Sequence, residues 1–445
     1  MTLTTRFAPS PTGRLHVGNL RAALQNWLAA HAGGGRFLLR IDDTDAARSE
    51  ERFVDAILAD LDWLGIRPDE IVRQSERFDL YERHFAALLD AGHIYPCYET
   101  AEELDLKRKV RLGRGLPPIY DRAALTLTDV EKARLEADGV RPHHRFRLPH
   151  DSLIEWNDLI RGPQRFDPSE MSDPVIRRAD GSWLYMLPSV LDDVNLAVTH
   201  VLRGEDHVSN TAAQIPMFTA VGGAMPNFAH MALLVGGEGK LSKRLGATDT
   251  DTFRAKGIEP LALAALLARI GTSRPVEPVT ALADLAKDFD FSTFGRAPAR
   301  FDEDELAAIN ARTIHAMPHE VVADRLPAVI DAAAWLTIRG NLATIDDAEG
   351  WAAVIGGTID PAPIDAADRP YLASAAAMAP DIDWSSDPWQ ALTAKLKMGS
   401  GRKGKALFLP LRLALTGRSE GPDMATLLPL IGKNRAVDRL RDAAG

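Results

Sequence analysis

Strands and helices alternate over the first 70 residues, and this alternation constrains the fold more than any other feature of the chain. "TTRFA" predicts a short strand, apolar residues at helical spacing follow it, and "RFLLRI" is typical of a buried parallel strand. After "DDTD", an apolar stripe from Phe53 to Leu64 predicts a second helix, which Gly65 closes. This order predicts a doubly wound α/β sheet. Ligands bind such sheets at the carboxyl ends of the strands, where "PSPTG" and "DDTD" both lie.

The rest of the chain changes character twice. Residues 100–170 contain a basic, glycine-containing loop and two short strand-like runs, "HHRFRLP" and "SLIEWNDLIRG", which indicate an insertion into the sheet. The strand-like pattern returns with "PVIRRADGSWLYMLPSVLDD". After about residue 310 the sequence is rich in alanine and leucine at helical spacing, which predicts a separate helical domain. A chain of 445 residues is long enough for two to four domains.

Composition excludes several classes of protein. The single cysteine, Cys97, rules out an intramolecular disulfide and a zinc site built mainly from thiolates, and it fits a reducing cytosol. The N-terminus lacks the basic-then-apolar order of a signal peptide. The longest apolar run, "PLALAALLARI", is too short to span a bilayer and is interrupted by Arg269. We therefore expect a cytoplasmic protein with no membrane segment.

Charge is unevenly distributed along the chain. The net charge of −10 steers the whole molecule away from nucleic acid. Residues 395–445 nevertheless contain 11 basic and 4 acidic residues, whereas residues 341–394 contain 9 acidic residues and one basic residue. The basic C-terminal segment is either a local nucleic-acid footprint or a solvated surface with a lopsided charge.

The loop "FAPSPTGRLHVGN", residues 7–19, has the composition of a phosphate-binding turn. Its prolines fix φ and remove backbone donors, and its glycines let the backbone approach a bulky ligand closely. Asn19 is a candidate N-cap, which would place His16 and Gly18 beside the positive end of a helix. His16 can then donate a hydrogen bond to a phosphoryl oxygen. The same composition also suits a proline-stiffened turn whose histidine is satisfied by the backbone.

Two further stretches carry candidate binding residues. In "GGEGKLSKRLGA", residues 236–247, glycines flank three basic residues, which suits either transient neutralisation of a triphosphate or an exposed basic loop. Tyr185 and Arg203 lie 18 residues apart at the ends of two predicted elements. Arg203 can hold a carboxylate bidentately or pair with an acidic residue of the adjacent "GEDH". Asp42 and Asp43 can bind an ammonium group or a metal ion, or can cap the next helix.

Taken together, these motifs resemble a known family. A proline-rich H-x-G-N loop after the first strand, followed about 220 residues later by K-L-S-K-R, is similar to the two signatures of class I aminoacyl-tRNA synthetases. "RFAPSPTGRLHVGNLRAAL", "RIDDTD", "VLRGEDHVSNT", "KLSKR" and "FGRAPARFD" together resemble the bacterial type of glutamyl-tRNA synthetase. "GRKGKALFLPLRLALTG" extends the resemblance from residue 5 to the C-terminus.

The resemblance implies a multidomain architecture. It consists of a Rossmann-like, doubly wound parallel catalytic sheet, an inserted α+β domain that binds the acceptor stem, and an all-helical domain that binds the anticodon. The catalytic domain would comprise residues 1–100 and 171–240, and the insertion residues 101–170. Residues 241–310 would form a stem-contact region carrying the KLSKR loop, and residues 311–445 the helical domain.

The implied reaction joins L-glutamate to the 3'-terminal adenosine of tRNA(Glu). It uses ATP with Mg²⁺, passes through glutamyl-adenylate, and releases pyrophosphate and AMP. Family members of this type usually bind tRNA before they activate glutamate, and the family habit is a monomer. No covalent enzyme intermediate is needed, so positioning and charge stabilisation carry the catalysis. Some relatives hold zinc in the insertion through several cysteines; with Cys97 alone, we expect no zinc.

The same resemblance assigns residues to roles. The catalytic residues would be His16, Lys240 and Lys243. The ATP-binding residues would be Pro9, Thr12, His16, Gly18, Asn19, Asp206, His207, Lys240, Ser242, Lys243 and Arg244. The glutamate-binding residues would be Arg6, Ala8, Ser10, Asp42, Tyr185 and Arg203. Arg6 and Arg203 would hold the side-chain carboxylate, and Asp42 the ammonium group. Asn19 stands where the superfamily motif has histidine, and Asp42 where many relatives have glutamate.

Several alternatives share part of this pattern. A non-discriminating enzyme would also glutamylate tRNA(Gln). Glutaminyl-tRNA synthetases share the catalytic half but end in β-barrels, and the predicted helical tail argues against them. The shorter enzymes that glutamylate a modified tRNA base lack this tail. A non-catalytic RNA-binding paralogue would not need the intact His16, Lys240 and Lys243, and a small nucleotidyltransferase would not need 445 residues.

Overall fold

The chain contains two compact units. The computed structural model describes residues 2–45, 47–236, 239–240 and 249–445. The first unit comprises residues 1–252 and 264–302, and the second comprises residues 253–263 and 303–445. No helix in these described ranges is long and apolar enough to cross a membrane.

All strands among the described residues belong to the first unit. They are β1 (Thr4–Phe7), β2 (Arg36–Ile41), β3 (Glu70–Arg73), β4 (Ile94–Cys97), β5 (His143–Phe146), β6 (Ile154–Asp158), β7 (Gly162–Phe166), β8 (Val175–Arg177), β9 (His200–Gly204), β10 (Asn227–Met231), β11 (Leu234–Gly236), β12 (Gly239–Lys240) and β13 (Ala299–Arg300). The first ten helices are α1 (Val17–Ala32), α2 (Glu51–Trp63), α3 (Phe78–Asp90), α4 (Ala101–Gly113), α5 (Asp129–Ala137), α6 (Met186–Asn195), α7 (Val208–Ala220), α8 (Thr250–Ala255), α9 (Pro260–Arg269) and α10 (Leu282–Lys287). Of these helices, α8 and α9 contain residues of both units.

A parallel α/β sheet forms the frame of the first unit, as the alternation predicts. β1, β2 and β3 pair in parallel, and so do β9 and β10. The N–H of Thr199 donates to the carbonyl of Thr4, and the N–H of Thr4 donates to Thr199 Oγ1 at 2.8 Å, so β9 starts beside β1. The order β3-β2-β1-β9-β10 is that of a doubly wound sheet. The continuous apolar character of "RFLLRI" follows from its central place, because residues 37–41 are all fully buried.

The predicted inserted segment is anchored to strands on either side of it. β5 lies within residues 101–170 and pairs antiparallel with β4 and β8, which lie outside that range. β6 and β7 form a separate hairpin. The three-stranded sheet therefore extends across both predicted boundaries. Composition could not predict this, because strand pairing across an insertion leaves no compositional signal.

The second unit is helical in the part of the chain that the structure describes. Its further helices are α11 (Glu303–Ala316), α12 (His319–Val322), α13 (Ala332–Ile338), α14 (Ala348–Gly356), α15 (Arg369–Met378), α16 (Pro388–Ser400), α17 (Lys405–Thr416), α18 (Met424–Ile431) and α19 (Lys433–Ala444). Its core includes Trp335, Trp351 and Leu427. The predicted helical tail is confirmed, and the unit also takes up residues 253–263 and 303–310 from the predicted stem-contact region.

Candidate active site

The loops after β1 and β2 lie against each other. The N–H of Asp42 donates to the carbonyl of Pro9, and the N–H of Glu50 donates to the carbonyl of Pro11. Both loops follow parallel strands, and the carboxyl ends of such strands meet at one edge of the sheet. "PSPTG" and "DDTD" are therefore neighbours, as the sequence predicts.

His16, and not Asn19, is the N-cap of α1. The Nδ1 atom of His16 accepts a hydrogen bond from the N–H of Gly18 at 3.0 Å, and Asn19 Oδ1 accepts from the N–H of His16 at 3.3 Å. This reciprocal pair is a capping box, in which Asn19 occupies the third helical position. The prediction of Asn19 as the N-cap is therefore wrong, because the cap lies three residues earlier, at His16, and the helix begins at Val17.

The capping bond determines which ring nitrogen of His16 can reach a ligand. Because Nδ1 is an acceptor, the proton of the neutral ring lies on Nε2. Burial lowers the pKa of His16, so the ring is neutral at pH 7. A Cβ atom at position 18 would lie 2.9 Å from His16 Cε1, so Gly18 leaves room for the ring. His16 therefore presents an N–H donor at the positive end of α1.

A cleft of about 280 Å³ opens beside this helix terminus. Ten of the predicted site residues line it: Arg6, Ala8, Pro9, His16, Gly18, Asn19, Tyr185, Arg203, Asp206 and His207. Ser10, Thr12 and Asp42 do not line it, and the first two are exposed in their loop. Ser242, Lys243 and Arg244 lie outside the described residues, as does the side chain of Lys240.

A compensated cluster of arginines and aspartates adjoins the cleft, and its members Arg6 and Arg40 line it. The Arg40 side chain is fully buried and donates to both carboxylate oxygens of Asp42, at 2.6 and 3.1 Å. Arg40 also donates to Asp193 at 2.9 Å, and Arg6 donates to the same oxygen at 3.1 Å. Arg6 and Asp42, both predicted to bind glutamate, thus already have partners of opposite charge within the protein.

Arg203 is also buried, but its partners are all neutral. Its Nη1 donates to the hydroxyl of Tyr185 at 2.6 Å, and its Nη2 donates to Thr211 Oγ1 at 2.6 Å and to Gln214 Oε1 at 2.8 Å. Its Nε lies 3.4 Å from His230 Nε2. Burial lowers the pKa of Arg203, but an arginine keeps its charge at neutral pH. The cleft therefore has a cation that no carboxylate among the described residues contacts.

The acidic residues of "GEDH" do not pair with Arg203. Glu205 forms an ion pair with Arg161 instead. The carboxylate of Asp206 lies at the rim, 3.8 Å from His207 Nε2. Burial, with a smaller contribution from Arg203, lowers the pKa of His207 to about 4, so this ring is neutral at pH 7. The alternative of a local ion pair for Arg203 is therefore not observed.

The residues that surround Arg203 are not among the predicted site residues. Thr211 and Gln214 are three residues apart on α7 and face the same side of that helix. Two polar residues at this spacing, shortly after "GEDH", are a signal from which partners of Arg203 could have been predicted. His230 lies on β10, where its sequence neighbours give no such signal. The same holds for Asp193, the partner of Arg6 and Arg40 near the end of α6.

The described residues offer no clear metal site. No group of three or more histidine, cysteine, aspartate or glutamate side chains is arranged there to hold a metal ion. Cys97 is buried and accepts a hydrogen bond from the hydroxyl of Tyr120 at 3.7 Å. The expected absence of zinc stays a prediction.

Comparisons with known proteins identify the family. The model for the catalytic domain of class I tRNA synthetases (E and Q) matches residues 2–308, and an anticodon binding domain model matches residues 362–444. Glutamate--tRNA ligase 1 of Rhizorhabdus wittichii is 64% identical, covering 99% of this chain and 100% of its own. Glutamate--tRNA ligase 2 of Sphingopyxis alaskensis is 61% identical, covering 100% of both chains.

A solved structure gives the same result. The crystal structure of a glutamate tRNA ligase from Elizabethkingia meningosepticum, in complex with its amino acid, superposes with a TM-score of 0.88 at 28% identity. It covers 100% of this chain and 99% of its own. Fold, cleft and sequence agree, and the chain belongs to the glutamate--tRNA ligase family of class I aminoacyl-tRNA synthetases.

Proposed function

We propose that the chain ligates L-glutamate to the 3'-terminal adenosine of tRNA(Glu). The observation that carries this proposal is the Arg203 guanidinium, which is buried at the cleft and has only neutral partners. A buried cation without a counter-charge is costly, and a bound carboxylate would supply that charge through charge-assisted hydrogen bonds. The activity named for the relatives that are more than 60% identical supports the same substrate.

The other arginines at the cleft are less suited to this role. Arg6 and Arg40 share Asp193 as a counter-charge. Arg21 donates to the backbone carbonyls of Ala232 and Ile270, at 2.7 and 3.1 Å. Arg203 alone among these four arginines combines the charge with a neighbouring tyrosine hydroxyl that can also bind a carboxylate. We therefore assign the side-chain carboxylate of glutamate to Arg203 and Tyr185.

We assign ATP, as its Mg²⁺ complex, to the part of the cleft lined by His16 and Gly18. The N-terminus of α1 and the His16 Nε2–H donor suit phosphate oxygens. By resemblance to the family, Lys240 and Lys243 provide the second set of phosphate contacts. An oxygen of the glutamate α-carboxylate then attacks the α-phosphorus, and the bond to pyrophosphate breaks. His16 stabilises the negative charge that develops on the phosphoryl oxygens.

In the second step, the 2'-hydroxyl oxygen of the terminal adenosine attacks the activated carbonyl carbon, and AMP leaves. For tRNA binding we assign the acceptor stem to the inserted segment, residues 101–170, and the anticodon to the second unit. The match of residues 362–444 to an anticodon binding domain and the basic segment 395–445 support the latter assignment. Contacts with tRNA phosphates predict an affinity that falls as salt rises.

The proposed function is tested by charging purified tRNA(Glu) and tRNA(Gln) with glutamate and with glutamine in turn. We expect glutamate to be attached to tRNA(Glu) and glutamine to neither tRNA. Glutamylation of tRNA(Gln) as well would identify a non-discriminating enzyme. Preferential attachment of glutamine, or no attachment to tRNA(Glu), would refute the proposal.

Arg203→Gln tests the assigned glutamate pocket, because it keeps hydrogen-bonding capacity and removes the charge. Loss of charge-assisted hydrogen bonds of about 1.5–3 kcal/mol predicts a KM for glutamate raised about 10-fold to 100-fold. The KM for ATP should change less than about twofold. An unchanged KM for glutamate would mean that Arg203 does not bind the substrate.

A further inference from the structure

We propose that Asp158, His230 and Thr211 form a hydrogen-bonded relay that orients the Arg203 guanidinium toward glutamate. The proposal rests on the function assigned above and adds three positioning residues. None of the three lines the cleft, so their effect on substrate binding passes through Arg203. The relay crosses three elements, since Asp158 ends β6, Thr211 lies on α7 and His230 lies on β10.

Asp158 is the fixed end of the relay. It is fully buried at the end of β6, where its Oδ1 accepts from the N–H groups of Ile160, Arg161 and His230 at 3.1, 2.9 and 3.1 Å. Its Oδ2 accepts from His230 Nδ1. Burial alone would raise the pKa of Asp158, but the hydrogen bonds from His230 and from the backbone of Arg161 hold it below its usual value. Asp158 is therefore an ionised carboxylate that can only accept.

His230 connects the Asp158 carboxylate to Thr211. Because Asp158 has no proton to give, Nδ1 of His230 must donate, and the neutral ring then has a bare Nε2. Burial lowers the pKa of His230, which favours the neutral ring at pH 7. The bare Nε2 lies 2.9 Å from Thr211 Oγ1 and accepts its hydroxyl proton. The carboxylate thus selects one tautomer of the histidine.

Thr211 completes the relay to Arg203. With its proton directed to His230, the Thr211 oxygen is free to accept from Arg203 Nη2 at 2.6 Å. The carbonyl of His207 is a longer alternative acceptor for the hydroxyl, at 3.4 Å. Gln214 Oε1 accepts from the same Nη2, so the guanidinium is held by acceptors on α7 and by Tyr185. Each proton in the relay points away from Arg203 and toward Asp158.

This arrangement separates orientation from neutralisation. A carboxylate placed directly on Arg203 would orient it but would also satisfy its charge, as Asp193 does for Arg6 and Arg40. In the relay an imidazole stands between Asp158 and Arg203, and it reaches Arg203 through the Thr211 hydroxyl and through a longer contact of 3.4 Å from Arg203 Nε to its own Nε2. The guanidinium is held in place while its charge remains available to a ligand carboxylate, which increases the selectivity for glutamate over the neutral glutamine.

Two pairs of variants test the relay. Thr211→Val removes the hydroxyl at similar volume, and Thr211→Ser keeps it. His230→Asn can still donate to Asp158 from the Nδ1 position but offers no acceptor at Nε2, whereas His230→Gln can place its amide oxygen near the Nε2 position. Within each pair, only one member keeps the acceptor that the relay requires.

We expect Thr211→Val and His230→Asn to raise the KM for glutamate at least about 10-fold, the effect of one lost hydrogen bond to a charged group. The KM for ATP should stay within about twofold, and the preference for glutamate over glutamine should fall. Thr211→Ser should remain close to the wild type, and His230→Gln, which keeps the acceptor but loses the donor to Asp158, should be less impaired than His230→Asn. Equal rises in the two KM values, or His230→Gln impaired with His230→Asn intact, would overturn the relay. Thermal unfolding of all four variants identifies any that fail to fold.

The histidine tautomer provides a measurement that needs no activity. In the full chain with ¹⁵N-labelled histidine, the resonances absent from His230→Gln identify His230, and we expect a proton on Nδ1 and none on Nε2. A proton on Nε2 would overturn the relay. If the wild type fails to charge tRNA(Glu), the proposed function fails while the relay is judged on this tautomer. If the wild type charges tRNA(Glu) and Thr211→Val leaves the KM for glutamate unchanged, only the relay fails.

Discussion

His16 combines a structural and a functional role in one ring. Its Nδ1 accepts the N–H of Gly18 and caps α1, which leaves the Nε2–H donor at the cleft. The cap fixes the tautomer and the ring orientation at once, because a ring rotated to present Nδ1 to a ligand would lose the capping bond. The same residue therefore contributes to the stability of the helix and to the proposed stabilisation of the phosphoryl oxygens.

Two substitutions separate these roles. His16→Asn keeps a short side chain that is a good N-cap, whereas His16→Ala removes the cap and should lower the free energy of unfolding by about 1 kcal/mol. Both variants lose the Nε2–H donor, so we expect glutamate-dependent pyrophosphate exchange, with tRNA present, to fall about 10²-fold or more in each. Urea unfolding and the exchange assay measure the two effects. Full exchange activity in His16→Asn would exclude the functional role.

Between elements, Arg439 joins the ends of two helices in the second unit. Its buried guanidinium, on α19, donates at 2.7 Å to the carbonyls of Val354, near the end of α14, and Leu415, near the end of α17. It also donates to the carbonyl of Gly357 at 2.9 Å. The last carbonyls of a helix have no partner within the helix and carry partial negative charge. One arginine thus satisfies two helix C-termini.

Arg439→Met should therefore destabilise the second unit by about 2–4 kcal/mol, because it leaves buried carbonyls without donors. Arg441→Met is the matched control on the same helix, since the Arg441 side chain is 63% exposed and lies 3.6 Å from Asp438. An exposed pair of this kind is worth at most about 1 kcal/mol. Chemical unfolding followed by tryptophan fluorescence compares the two. Equal losses in both variants would mean that the helix ends do not depend on Arg439.

Across the molecule, the histidines whose pKa is lowered mainly by burial all lie in the first unit. They are the seven residues His16, His143, His144, His150, His200, His207 and His230. For His144 and His207 the pKa falls to about 4. Between these values and the unfolded value of about 6.5, the unfolded chain binds more protons than the folded chain.

The stability that these histidines contribute is complete above pH 6.5 and is lost as the pH falls toward 4. We therefore expect hydrogen-exchange protection of the first unit to decrease between pH 7 and pH 5, after correction for the intrinsic exchange rate. Peptides from the second unit serve as the internal reference. Protection of the first unit that does not depend on pH would contradict the prediction, as would an equal loss in both units.

The local spacing of apolar residues was sufficient to predict the first strands and helices of the parallel sheet. The period of apolar residues predicted β1, β2 and the helices between and after them, and proline and glycine marked the loop that meets the cleft. The resemblance to the family then assigned binding roles to ten residues that line the cleft. The N-cap of α1 was missed because His and Asn can both accept from a helix N-terminus, and only the backbone conformation distinguishes them.

The order of strands and helices follows from local sequence, because each element depends on side chains a few residues apart. Which charges are compensated depends on contacts that form only in the folded chain. Arg6 meets Asp193 across 187 residues, and Asp158 meets His230 across 72, so neither pair has a local signal. A buried charge is stabilised or left available by the atoms within hydrogen-bond distance of it, and those atoms come from distant parts of the chain. Arg203 is the clearest case: its neighbours in "GEDH" do not pair with it, and folding surrounds it with neutral acceptors instead.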